Sequence, residues 1–177
     1  MTAGGSSAGA RRPYPLGDLL AMARQSWVDQ MSGLLSERGF IGYRRTDASV
    51  MRMLLRAPVP IGKLGASLGV TRQASRKIVA GLEQRRYVRT ERDLHDSRQL
   101  NTELTPLGED YARAVVTVIH ELNSQIALRV THQQMLGADA VLRAVIGDNG
   151  TWAGVARRLP PPTPPLPPLL APPTEQE

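Results

Sequence analysis

Between Thr71 and Arg92 the chain sets arginine, lysine and glutamine on a stretch that also carries an apolar ladder, TRQASRKIVAGLEQRRYVRTER. Sorted by helical period, Ala74, Ile78, Val79 and Leu82 share one side, with Ser75 beside them; Arg72, Gln73, Arg76, Lys77 and Ala80 share the other. The chemistry of that second side is recognition of base edges and phosphate. Arginine or lysine matches guanine O6 and N7, and glutamine matches adenine N6 and N7; the small Ala80 permits close approach. Thr71 and the amides of the helix start it caps suit a phosphate. Residues 71 to 92 hold seven basic side chains, Arg92 among them, against two acidic ones: a local +5 in a chain of net charge +6. A solvated basic helix would show the same composition, so the neighbouring elements must decide.

Those elements read as a row of helices with one interruption. From residue 16 to 39, Leu19, Leu20, Ala23, Trp27, Val28, Met31, Leu34 and Leu35 recur at spacings of three and four, one apolar stripe on a long helix ended at Gly39. Asp47 is expected to cap a short helix carrying Val50, Met53, Leu54 and Leu55, which the sequence APVP stops. Pro60 opens the next, with Ile61, Leu64 and Leu68 inward, and Gly69 breaks it. Two short helices joined by a tight glycine turn form a helix-turn-helix. Gly81, inside the second, costs about 1 kcal/mol against alanine, and the sequence offers no reason for it. YVRTE and QLNTEL then have strand composition around the polar RDLHDSR, a β-hairpin following the helix directly. Thr105-Pro106 starts a long helix, and Thr131 with Gln134 fits a capping box opening the last one, through Val145. The fold class is therefore mostly α with a small β-hairpin wing.

Composition narrows the function. The 177 residues predict one folded unit, 16–158, between a Gly/Ser/Ala-rich tail at 1–15, expected to be disordered, and a tail at 159–177 holding nine prolines. Those prolines forbid helix and favour extended polyproline II. The absence of cysteine excludes thiol chemistry; His95, His120 and His132 are too scattered to argue for zinc, and no metal or cofactor is expected. No run is apolar enough to span a bilayer and no signal peptide is visible, so a soluble, cytoplasmic protein without a membrane partner is expected. No Gly-rich phosphate loop, HExxH or nucleophile elbow is present, and Glu109-Asp110 suits the start of a helix dipole better than acid–base work. An enzyme is not expected. The alternative is a winged-helix protein-interaction adaptor using the proline-rich tail PPTPPLPP.

KLGASLGVTRQASRKIVAGLEQRRYVRTERD followed by HDSRQLNTELTPLGEDY resembles the DNA-binding core of the MarR family of bacterial transcription regulators. The resemblance covers about residues 16 to 150 and is strongest from 60 to 110. It implies a homodimer, with dimerisation helices at about 16–39 and 106–148 and a DNA-binding lobe at about 47–105. The first helix and the last two do carry more apolar stripe than a small lobe could cover. Two lobes would then meet a pseudo-palindromic duplex about one turn apart. The resemblance places Gln73, Arg76 and Lys77 against bases, and Thr71 and Arg72 against phosphate. It places Arg98 of the wing in the minor groove, oriented by Asp96. It implies a regulator, commonly a repressor, and a small phenolic or lipophilic effector as candidate ligand, with Trp27, Met31, Met51 and Met53 as pocket candidates against a plain core role.

Overall fold

A computed structural model describes residues 15–92 and 100–148. In chain order they form α1 (Leu16–Glu37), α2 (Asp47–Leu54), β1 (Val59–Pro60), α3 (Ile61–Leu68), α4 (Arg72–Gln84), β2 (Val88–Arg92), β3 (Leu100–Leu104), α5 (Pro106–Ala127) and α6 (His132–Ile146). The fold is mostly helical with a small antiparallel sheet, a winged helix-turn-helix. Both tails, apart from Pro15, and the wing tip with His95, Asp96 and Arg98 lie outside the described residues.

Local signals start and stop these elements. Gly39, at φ 84°, follows the end of α1, and Phe40 N–H reaches back to the Leu35 carbonyl at 2.9 Å. Gly69, left-handed at φ 66°, ends α3 in the same way, with Val70 N–H on the Gly65 carbonyl. Thr105 caps α5 by accepting from Gly108 N–H at 2.9 Å, and α6 opens on the full Thr131–Gln134 capping box. The sheet departs from a two-stranded hairpin: β1 joins it in the order β1-β3-β2, Val59 opposite Thr102. Pro60 has no N–H to give a ladder, which suits this edge position. In the sequence those residues looked like the stop of one helix and the start of the next.

One apolar core joins the C-terminal half of α1 (Met31, Leu35), α2 (Val50, Met51), α3 (Leu64), α4 (Val79, Leu82), β2 (Val88) and α5 (Tyr111, Val115, Val118, Leu122). Burying each such side chain contributes about 1.5–3 kcal/mol. Met31 and Met51 are fully buried, Met53 nearly so, and Trp27 packs on the core from its edge. Leu55, expected on this helix, lies just past its end at Leu54 and is exposed.

Asp47 is the second departure. It is not the cap of α2. Thr46 holds that position without a side-chain bond, and Asp47 is the first helical residue, 1% exposed. Its carboxylate is instead taken up by one nearby donor and two distant ones. It accepts from Arg44 N–H at 3.0 Å, from the Arg85 guanidinium at 2.7 and 3.1 Å, and from the Tyr111 hydroxyl at 2.9 Å. Tyr87 stacks on Tyr111 with ring centroids 4.1 Å apart, and Phe40 leans on both. Burial lowers the tendency of Arg85 to hold its proton, but the hydrogen bonds and charge of Asp47 outweigh this and raise its pKa. Burial, with Asp47 nearby, also pushes the Tyr43 phenol up to about 12.

Gly108 explains the start of α5. A Cβ there would lie 1.7 Å from the Tyr87 carbonyl oxygen, so only glycine lets the helix sit on the strand that follows α4. By contrast α6 buries none of its described residues in this chain: Leu136, Val141, Leu142, Val145 and Ile146 are all exposed.

Asp47→Ala should destabilise the fold by about 3 kcal/mol, since it strands the Arg85 charge, and Tyr111→Phe by about 1 kcal/mol; urea denaturation measures both. Gly108→Ala should cost roughly 3 kcal/mol or more, the overpacking falling on backbone that has nowhere to move.

Candidate nucleic-acid interface

The turn between α3 and α4 is built for close approach. A Cβ on Gly65 would stand 3.0 Å from Ser75 Oγ, so a glycine and a serine meet where the two helices cross. Ser75 satisfies its own hydroxyl by donating to the Arg72 carbonyl at 2.9 Å. Thr71 caps α4, its Oγ1 accepting from Ala74 N–H at 3.1 Å. The helix is thereby fixed from its inner face, where Ser75, Val79 and Leu82 are buried.

Its outer face carries the residues singled out from the sequence. Thr71, Arg72, Gln73, Arg76 and Lys77 are all exposed and lie together on the first two turns. Among the described residues no carboxylate pairs with Arg72, Arg76 or Lys77. Arg92 is exposed at the end of β2, on a different element. Asp96 and Arg98 lie outside the described residues.

The strand behind the helix is braced to it: Thr90 donates to Glu83 of α4 at 2.6 Å, and β2 pairs with β3 from Val88↔Leu104 to Arg92↔Leu100. Two of the seven basic residues counted in this stretch are committed elsewhere. Arg85 turns inward to Asp47, and Arg89 is held by Glu103 and Glu91. The positive charge left for a partner is therefore concentrated on α4 and its immediate neighbours, more locally than a count along the chain suggests. Arg86 follows α4 at φ 62°, a left-handed turn in a non-glycine residue, and is exposed.

The network around Asp47 was not legible as such. Asp47 has the type and place of a cap, and nothing local marks Arg85 or Tyr111 as its partners. Among the described residues no group of histidines and carboxylates could hold a metal, and no helix is long and apolar enough to cross a membrane.

Residues 41–99 match the model of the MarR family. Solved structures share the fold at low identity. The S. aureus MepR–DNA complex is 14% identical, with a TM-score of 0.64 over 73% of this chain and 95% of that one. A mutant MarR from E. coli complexed with operator DNA is 18% identical, with a TM-score of 0.63 over 76% and 95%. The PcaV transcriptional regulator from Streptomyces coelicolor, in complex with its natural ligand, is 17% identical, with a TM-score of 0.61 over 75% and 92%. No curated protein matches the chain.

The geometry separates holding the helix from using its outer face. Thr71→Ala, which removes the cap, should lower stability by about 1 kcal/mol. Gln73→Ala, Arg76→Ala and Lys77→Ala should each change it by no more than about 0.5 kcal/mol; thermal melting distinguishes the two groups.

Proposed function

For a chain whose residues 41–99 match the model of the MarR family, we propose sequence-specific binding of double-stranded DNA by a homodimeric transcriptional regulator. One observation carries this reading. The exposed face of α4 presents Arg72, Gln73, Arg76 and Lys77 without carboxylate partners among the described residues, on a helix anchored from behind. Such a face meets the major groove, where Gln73, Arg76 and Lys77 address base edges and Thr71 and Arg72 address phosphate. The wing residues Arg92, Asp96 and Arg98 complete the contact on the minor-groove side. Relatives of the same fold have been solved with DNA and, in one case, a natural ligand. They support DNA and a small ligand as partners; that the ligand is phenolic or lipophilic and releases the DNA, with repression as the outcome, is part of the proposal. The role is recognition rather than catalysis.

The second copy is the partner for the apolar surface this chain leaves open. Leu136, Val141, Leu142, Val145 and Ile146 on α6, Leu16, Leu19 and Met22 on α1, and Leu128 after α5 are exposed. A row of that extent marks an association surface. Pairing across it sets two α4 helices on one duplex, on successive turns of a pseudo-palindromic site.

Footprinting on the DNA upstream of the protein's own gene tests the reading. On the site found, Arg76→Ala and Lys77→Ala should each remove about 1–3 kcal/mol of discrimination between that site and unrelated duplex. Equal weakening on every sequence would reduce both to phosphate contacts, and a wild-type affinity indifferent to salt would defeat the proposal, since each neutralised phosphate contributes a slope of about 0.9. Light scattering should give about twice 19.3 kDa for the wild type, and the double substitution Leu142→Asp with Val145→Asp should give the monomer.

A further inference from the structure

The groove side of α4 is lopsided. At about 100° per residue, Gln73 and Lys77 stand near the middle of the exposed face and Arg72 and Arg76 to one side of it. Gly81 falls about 40° beyond Lys77 on the other side. That second flank continues through Ala74, Ile78 and Arg85, and Arg85 is turned inward to Asp47. The helix thus sets two exposed arginines on one flank, while the other has only Lys77, at its border.

Gly81 is where a side chain from elsewhere crosses. A Cβ on Gly81 would stand 3.0 Å from Arg44 Nη1, so the Arg44 guanidinium rests against the helix backbone at the one position without a side chain. Arg44 belongs to the loop between α1 and α2 and is exposed, and among the described residues it forms no ion pair. Its backbone is fixed on both sides by Asp47: Arg44 N–H donates to the carboxylate at 3.0 Å, and Asp47 N–H donates to the Arg44 carbonyl at 2.8 Å. With Lys77, Ile78 and Arg85 it lines an open cleft of about 270 Å³ along this flank. A helix lying in the major groove has a phosphate strand on each side, and a guanidinium offers phosphate a planar fork of donors.

We propose that Arg44 is a phosphate contact for the flank of α4 that lacks a free arginine of its own, and that Gly81 is its seat. This assignment rests on the DNA-binding reading above. It also accounts for a glycine kept inside a helix, a position otherwise unfavourable.

The test is fluorescence anisotropy of the full chain on two labelled 30-base-pair duplexes of unrelated sequence, across a salt series. Arg44→Ala should weaken binding equally on both and lower the slope of log affinity against log salt by about one. Arg44→Lys should restore most of the slope, since the charge remains. Gly81→Leu, which displaces the guanidinium, should reproduce the loss and add nothing to it in combination with Arg44→Ala. An unchanged slope in Arg44→Ala overturns the contact, whatever Gly81→Leu does; additive losses overturn the seat. Arg76→Ala is run alongside. If it weakens binding while Arg44→Ala does not, only the Arg44 assignment falls. If the wild type binds neither duplex in a salt-dependent way, the DNA-binding reading falls with it.

Discussion

The position of α4 depends on one buried carboxylate. Asp47 is 1% exposed, and a charge so placed is tolerable only when its lone pairs are filled. Four donor contacts fill them, and they come from three parts of the chain: the Arg44 amide in the loop, two guanidinium nitrogens of Arg85 at the end of α4, and the Tyr111 hydroxyl on α5. Satisfying the charge therefore fixes the loop, the helix end and the long helix against one another. The stacked Tyr87 and Tyr111, with Arg85 5.3 Å from the Tyr87 ring centroid, shield the pair from water. Gly108 then lets α5 start directly on the Tyr87 carbonyl. A helix held at its far end and along its inner side leaves the outer face of its first turns free for contact.

The same network divides the arginines by task. An Arg-rich chain has cations everywhere, and their number says little about a binding face. Arg85 stabilises the interior, Arg89 ties the wing strands through Glu103, Arg38 joins α1 to α5 through Glu121, and Arg113 and Arg143 pair along their own helices. Surface pairs of this kind contribute little to stability, but each removes a charge from those available to an anion. What remains around α4 among the described residues includes Arg72, Arg76 and Lys77 on the helix, Arg86 just after it, and Arg44 on the far flank. Selective neutralisation, more than total charge, shapes the positive surface.

The apolar surface follows a complementary logic. The core is complete around α2 to α5 and the second half of α1, yet α6 and the start of α1 keep their leucines and valines outside it. Their helices are nonetheless well specified, α6 by a full capping box. An element that forms by its own capping but buries no residue within its own chain leaves an apolar face open, and the proposed two-fold pairing would give that surface its place.

Elements with local causes were legible in the sequence. Gly39, Gly69, Thr71, Thr105 and the Thr131–Gln134 box act within one helical turn, and the apolar period of α4 fixes which of its sides faces water. Gln73, Arg76 and Lys77 could therefore be placed outward before any coordinates. Pairings between distant residues were not legible. Asp47 meets Arg85 across 38 positions and Tyr111 across 64, β1 joins β3 from beyond two helices, and Arg44 reaches Gly81 only because the loop folds back on α4. A carboxylate before a helix looks the same whether it caps or is buried, and a glycine in a helix does not say what lies over it. Local backbone preference sets the elements, whereas the partners of a buried charge are chosen by which surfaces the packed core brings together.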